Sequence, residues 1–211
     1  EWLTSLRGNS VRVKSPNDGE LAKLVSMCRK NAQYLLDELK LQKMKRDDFI
    51  PHAVQSLQRD LRLKSVPRRI ECFDISHLQG TETVASMVVF VDGKPKKSEY
   101  RKFKIRAAAE GNIVDDFAGM REVIRRRYTR VLEEQSELPD LIMVEGGKGQ
   151  LSSACAVLKE LNLGSQPIIS LAKRLEDVFV PDESEPLVIP KSSSALRLLQ
   201  QVRDEAHRFA I

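Results

Sequence analysis

The sequence places Asp74 in a β-branched and aromatic run, Arg69-Ile70-Glu71-Cys72-Phe73-Asp74-Ile75-Ser76-His77. The run reads as a strand that carries one carboxylate to its far end. A carboxylate in such a place costs free energy unless it is paired, hydrogen-bonded or metal-bound. A second apolar run, Leu141-Ile142-Met143-Val144, ends in Glu145 and breaks into Gly146-Gly147-Lys148-Gly149. Two strands that each release an acid at the C-terminal end point to an oxygen-lined site for a hard cation. A cation held by carboxylates suits phosphodiester hydrolysis, because it activates water and compensates charge on the phosphate.

Each of these residues also has a plainer reading. Asp74 is equally served by backbone groups or Arg69. Asp116, just ahead of an amphipathic segment, fits an N-cap. His207, a lone histidine on a helix, fits a surface position or a satisfied core position. Lys148 lies in a glycine-rich turn that opens a helix, where backbone N–H groups meet phosphate readily, or where a strand simply turns into a helix. The turn is not a nucleotide-binding P-loop, which needs Gly at 142 and Ser or Thr at 149; the chain has Ile142 and Gly149. There is no Gly-x-Ser-x-Gly elbow, and Cys72 and Cys155 lack a patterned His partner.

Elements able to position these groups are visible in the periodicity. Leu21, Leu24, Val25, Cys28, Ala32, Leu35 and Leu39 form a helical stripe expected to pack on a partner surface, and Pro51 ends that helix. Ala53, Val54, Leu57, Leu61 and Leu63 predict a shorter amphipathic helix. A strand is also expected at residues 11–13 and a turn at 79–82. Residues 83–91 read as a second strand of the main sheet, and Asp92-Gly93 as a hairpin turn into a third strand at 100–106. A helix from Asp115 buries Phe117, Met120, Ile124, Tyr128 and Val131, with its arginines mostly outward. Strand 141–144, helix 150–161 and strand 167–171 form a parallel β-α-β unit. An irregular loop with a small hairpin at 177–189 follows, then a helix at 192–209 with its stripe at Ala195, Leu198, Val202, Ala206 and Phe209. This order predicts an α/β fold with a ribonuclease H-like mixed sheet: three antiparallel strands, then parallel β-α-β, with flanking helices. Residues 1–65 are expected to form an N-terminal helical extension packing on a main domain of residues 66–211.

Composition sets the outer bounds. The 211 residues, 41% hydrophobic and 31% charged, suit one sizeable core and exclude a disordered or fibrous chain. No apolar run reaches the roughly 20 residues of a membrane helix, so a cytoplasmic protein without a membrane partner is expected. Cys28, Cys72 and Cys155, without a C-x-x-C pair, fit a reducing compartment better than a zinc knuckle. The net charge of +5 is uneven. Arg121, Arg125, Arg126, Arg127 and Arg130 crowd one segment, and Lys94, Lys96, Lys97, Arg101, Lys102, Lys104 and Arg106 another. Both patches suit a polyanion or an ordinary solvated face.

Four blocks, in order, resemble the signatures of the UvrC family. They are Ile70-Glu71-Cys72-Phe73-Asp74-Ile75-Ser76-His77-Leu78-Gln79-Gly80, Asp115-Asp116-Phe117-Ala118-Gly119-Met120-Arg121-Glu122-Val123, Glu145-Gly146-Gly147-Lys148-Gly149-Gln150-Leu151, and Arg203-Asp204-Glu205-Ala206-His207-Arg208-Phe209-Ala210-Ile211. The resemblance runs from about Pro67 to the end. It implies the C-terminal half of the endonuclease subunit of bacterial nucleotide excision repair, with a ribonuclease H-like domain that makes the 5′ incision beside a lesion. By that likeness Asp74, Glu145 and His207 are the catalytic site for Mg2+ or Mn2+, and Asp116 is a further catalytic acid. Lys148, Arg121, Arg125 and Arg126 would face DNA. The implied partners are damaged, pre-incised double-stranded DNA and UvrB. The family usually has Asp where Glu145 stands, a side chain longer by one methylene. The resemblance also implies that the 3′ nuclease module, the UvrB-docking segment and a tandem helix-hairpin-helix region are not in this stretch, which is then expected to bind DNA weakly. A catalytically silent DNA- or partner-binding module of the same fold is the alternative.

Overall fold

The computed structural model describes residues 2–11, 16–78, 82–106, 115–173 and 176–210. Most of the strand expected at 11–13, most of the turn expected at 79–82, and Ile211 lie outside those residues. The chain divides into two compact units, Glu1–Phe49 and Ile50–Ile211.

The first unit holds α1 (Trp2–Arg7) and the 30-residue α2 (Gly19–Asp48). The apolar spacing builds the expected helix, and Leu21, Leu24, Leu35 and Leu39 are not covered within this unit. A stripe at threes and fours specifies a helix; it does not by itself supply a second apolar face to cover it.

The second unit begins earlier than the expected boundary at 65/66. Its first helix, α3 (His52–Asp60), buries Val54 and Leu57 completely in the same apolar cluster as α6 (Ser194–Ala210). Ser193 Oγ donates to Asp60 (2.6 Å), and Ser194 Oγ donates to Ser56 (3.0 Å). The amphipathic face of α3 thus belongs to the sheet domain rather than to an extension.

The sheet contains β1 (Arg69–Leu78), β2 (Glu82–Val91), β3 (Lys94–Pro95), β4 (Arg101–Lys104), β5 (Leu141–Glu145), β6 (Ile168–Leu171) and β7 (Val178–Phe179), in the order β3-β2-β1-β5-β6-β7 with β4 also on β2. β1 and β2 are antiparallel; β1, β5 and β6 are parallel. The connection from β5 to β6 is α5 (Lys148–Glu160), the predicted β-α-β unit. The hairpin turn falls at Asp92-Gly93, both at positive φ, but the returning strand breaks after Pro95 into a 3₁₀ turn (Lys97–Glu99) before β4 resumes. The interruption ends at Tyr100, which is buried against Phe209 of α6 (5.1 Å between ring centroids).

Strand alternation sorts side chains into two cores. Ile70, Cys72, Leu141 and Met143 face α3 and α6. Phe73, Ile142 and Val144 face α4 (Asp116–Glu133) and α5. Met120, Ile124, Tyr128 and Val131 of α4 are buried as expected, whereas Phe117 is 44% exposed. It lies over Gly149, where a Cβ would sit 2.4 Å from the ring. On the α4 face, near the start of β1, the wholly buried Glu71 accepts from Arg69 Nη2 (2.8 Å), Arg127 Nη2 (2.7 Å) and Tyr128 Oη (3.2 Å). This ion cluster accounts for Arg127 without a ligand.

Candidate active site

Asp74 follows Cys72 by two residues on β1, and Glu145 follows Met143 by two on β5, so both carboxylates fall on the α6 face. The register pairs Phe73 with Val144, which makes positions 74 and 145 the next neighbours across two parallel strands. Glu145 is the last residue of its strand. Asp74 is not: β1 runs on to Leu78 along β2, and Asp74 sits where β1 leaves β5. α6 brings His207 over them, with Nδ1 3.4 Å from Asp74 Oδ2.

One ligand atom each from Asp74, Glu145 and His207 lie within 4.8 Å of one another. Two donors on one small cation at about 2.1 Å are at most about 4.2 Å apart, so a contraction of roughly half an ångström closes the set. Asp74 is 4% exposed, and its Oδ2 accepts from Ser76 Oγ (2.8 Å). Glu145 Oε2 is buried and has no hydrogen-bond donor among the described residues. Burial, then the adjacent Asp74 carboxylate, pushes the Glu145 carboxyl up to about 7, against the opposing influence of Lys173 and Arg203. Two crowded carboxylates, one with an orphaned oxygen, and an imidazole are a donor set that fits a hard divalent cation.

Asp116 is outside this trio. It is the first helical residue of α4; the cap is Asp115, whose Oδ1 accepts from the backbone of Phe117 (2.9 Å) and Ala118 (3.0 Å). Asp116 Oδ1 instead accepts from His77 Nε2 (2.8 Å). His77 is an odd-numbered β1 residue and so faces the α4 layer, opposite to Asp74. Lys148 opens α5 three residues beyond Glu145 and reaches the Ser184 carbonyl. The α4 arginines all meet acids: Arg121 with Asp115 (3.6 Å), Arg125 with Glu160 (2.5 Å) and Arg126 with Glu122 (3.0 Å). They belong to the layer on the other side of the sheet from His207.

Three groups near the acids were given no role by the sequence pattern. Ser76 shares the face of Asp74 at the strand period of two, and Arg203 shares the His207 face of the last helix, one helical turn earlier. Arg203 is buried and paired with Glu176 (2.6 Å) and Asp204 (2.8 Å). Lys173, just past β6, carried no signal in its local sequence.

A mixed sheet with helices on both faces, and an acid-acid-imidazole cluster where parallel strands end, defines an α/β protein of the ribonuclease H-like class with a candidate cation site. The chain belongs to the family of the UvrC RNase H endonuclease domain, whose model matches residues 58–211. It is 50% identical over 213 residues to the UvrABC system protein C of Salinibacter ruber, covering 100% of this chain and 34% of that protein. It is 51% identical over 212 residues to that of Prosthecochloris aestuarii, covering 99% and 34%. The chain therefore spans about a third of the length of these curated relatives. Among solved structures, human ENDOV aligns with a TM-score of 0.42 at 14% identity, over 81% of this chain and 98% of that one. The Bacillus subtilis Endonuclease_V aligns with a TM-score of 0.39 at 10% identity, over 73% and 88%. No helix among the described residues is long and apolar enough to cross a membrane.

Proposed function

We propose that this chain is a metal-dependent DNA endonuclease domain that hydrolyses a phosphodiester 5′ to a lesion in nucleotide excision repair. The observation that carries the reading is the approach of Asp74, Glu145 and His207 donor atoms to within 4.8 Å. Asp74 and Glu145 are the oxygen donors for Mg2+ or Mn2+, and His207 is either the nitrogen donor or the base for the attacking water. When bound, the cation supplies Lewis-acid stabilisation of the phosphate charge and a more acidic water.

The protein groups do the positioning. Ser76 Oγ fixes the Asp74 carboxylate. Arg203 opposes the charge of Glu145 without touching a phosphate, because its guanidinium is occupied by Glu176 and Asp204. Lys148, beside the strand end, contacts a phosphate with the N-terminus of α5 behind it. Arg121, Arg125 and Arg126 contact DNA more weakly, since each must leave a carboxylate. Asp116 is carried as a further acid of the reaction on the family likeness alone, since His77 holds it outside the trio. The substrate is damaged double-stranded DNA already incised on the other side, reached together with UvrB in the bacterial cytoplasm.

The test is Mn2+-dependent incision of a pre-nicked, lesion-bearing duplex. Asp74→Asn and His207→Ala abolish cleavage while DNA binding survives. Glu145, in place of the family Asp, favours a second reading as a catalytically silent binding module of the same fold, which predicts no cleavage by the unmodified chain.

A further inference from the structure

We propose that Lys102, held at the C-terminal end of α6, binds a backbone phosphate within about three nucleotides of the phosphate attacked at Asp74 and Glu145. The inference rests on the nuclease reading and adds a substrate-positioning residue to it.

The sheet register provides the geometry. β2 lies between β1 and β4; Asp74 pairs with Ser86, and Ser86 pairs with Lys102. Directly opposed residues of antiparallel strands share a face, so Lys102 stands in the Asp74 row, on the face that α6 covers. Ser86 Oγ donates to the Ala206 carbonyl (2.8 Å), which fixes the last turn of α6 above the middle of that row. His207 approaches Asp74 on one side (3.4 Å). Phe209 and Ala210 approach Lys102 on the other. Two strand spacings of about 4.8 Å separate the ends of the row by about 10 Å, on the order of three nucleotide rises of about 3.4 Å.

Among the described residues, the ammonium is held by uncharged groups. Lys102 Nζ lies 5.2 Å from the Phe209 ring centroid and 3.4 Å from the Ala210 carbonyl, and neither partner carries a formal charge. Phe209 is itself braced edge-on by Tyr100, whose hydroxyl donates to Glu205 (3.1 Å). Lys102 has no carboxylate partner among the described residues. The α4 arginines differ on both counts: acids occupy them, and they lie on the far layer. Lys102 thus keeps charge and donors available to a strand passing the end of α6. A cation there also offsets the negative end of the helix, a purely structural effect that the experiment must separate.

The experiment is a coupling measurement on the 211-residue chain, using a nicked duplex with single neutral methylphosphonates scanned along one strand. Binding is read without divalent ion, and cleavage with Mn2+ on the same duplex. At one position, neutralising the phosphate weakens binding roughly five- to tenfold. Lys102→Gln weakens binding to the unmodified duplex by a similar factor and lowers the salt slope by about one. The two losses do not add, and Lys102→Arg restores affinity. Losses that add at every position overturn the inference, as does a Lys102→Gln effect confined to the thermal midpoint; cleavage by the unmodified chain in that case leaves the nuclease reading standing. Coupling without cleavage keeps the phosphate contact and overturns the nuclease reading. Absence of both binding and cleavage overturns the two together.

Discussion

The carboxylates of Asp74 and Glu145 occupy neighbouring positions on two parallel strands, on one face of the sheet, and Glu145 Oε2 is buried there without a donor among the described residues. The strands impose this proximity, because the β1–β5 register and the side-chain alternation are set by apolar residues elsewhere along both runs. The repulsion is therefore built into the fold, and a cation or a proton must relieve it.

Without divalent ion the proton does so, with a testable pH dependence. The folded Glu145 carboxyl is raised from 4.5 to about 7, so between these values the folded chain holds more protons than the unfolded one. Stability is then fully present below about 4.5, falls as pH rises through about 7, and levels off above. In chelator, the thermal midpoint of the unmodified chain is expected to drop across this window relative to Glu145→Gln. Mn2+ at pH 8 is expected to reverse the drop. Parallel pH profiles for the two proteins would refute the coupling.

Glu145→Asp tests whether the longer side chain is a defect. The donor atoms of Asp74, Glu145 and His207 approach within 4.8 Å with Glu in place, and shortening the chain withdraws an oxygen by about an ångström, a displacement that costs up to about a hundredfold in rate. Incision by Glu145→Asp is expected to be unchanged or lower. A gain of tenfold or more would show that the site is adapted to Asp.

Gly146 connects Glu145 to the turn at φ 129°, and a Cβ there would meet the Gln150 side chain at 2.7 Å. Gly146→Ala is expected to displace the end of β5 and lower Mn2+ affinity, with a stability cost of about 1–3 kcal/mol for the strained backbone. Unchanged Mn2+ affinity would mean that Glu145 is positioned by β5 alone.

Glu71 is the converse case, a buried acid that is fully partnered and on the opposite face. Glu71→Ala strands Arg127 beside Tyr128, while Arg69 keeps Glu99, and is expected to cost about 3–5 kcal/mol, lowering the thermal midpoint by roughly 10 °C. Mn2+ affinity is expected to be unchanged. A loss below about 1 kcal/mol would show that the cluster contributes no net stability.

Much of this arrangement was readable from local pattern. β1, β5, α5 and α6 follow directly from periods of 2 and 3.6, and the same periods bring Asp74, Glu145 and His207 to one face once the sheet order is known. The features that escaped depend on contacts distant in sequence or on backbone angles. Asp115 rather than Asp116 caps α4 because its extended backbone (φ −103°, ψ 90°) aims the carboxylate at the helix start, a choice that two adjacent acids leave open. The break after Pro95 ends where Tyr100 meets Phe209, more than a hundred residues later. The α4 arginines read as a polyanion surface because Glu160 and Glu71 come to them from other elements.

The central claim is that Asp74, Glu145 and His207 together hold one divalent cation. Calorimetric titration of Mn2+ into the unmodified chain and into Asp74→Asn, at pH 8, tests it most directly. Saturable binding by the unmodified chain is expected, with a loss of at least tenfold in affinity for the variant and the fold intact. Equal affinity in the two proteins, or no binding by either, would contradict it.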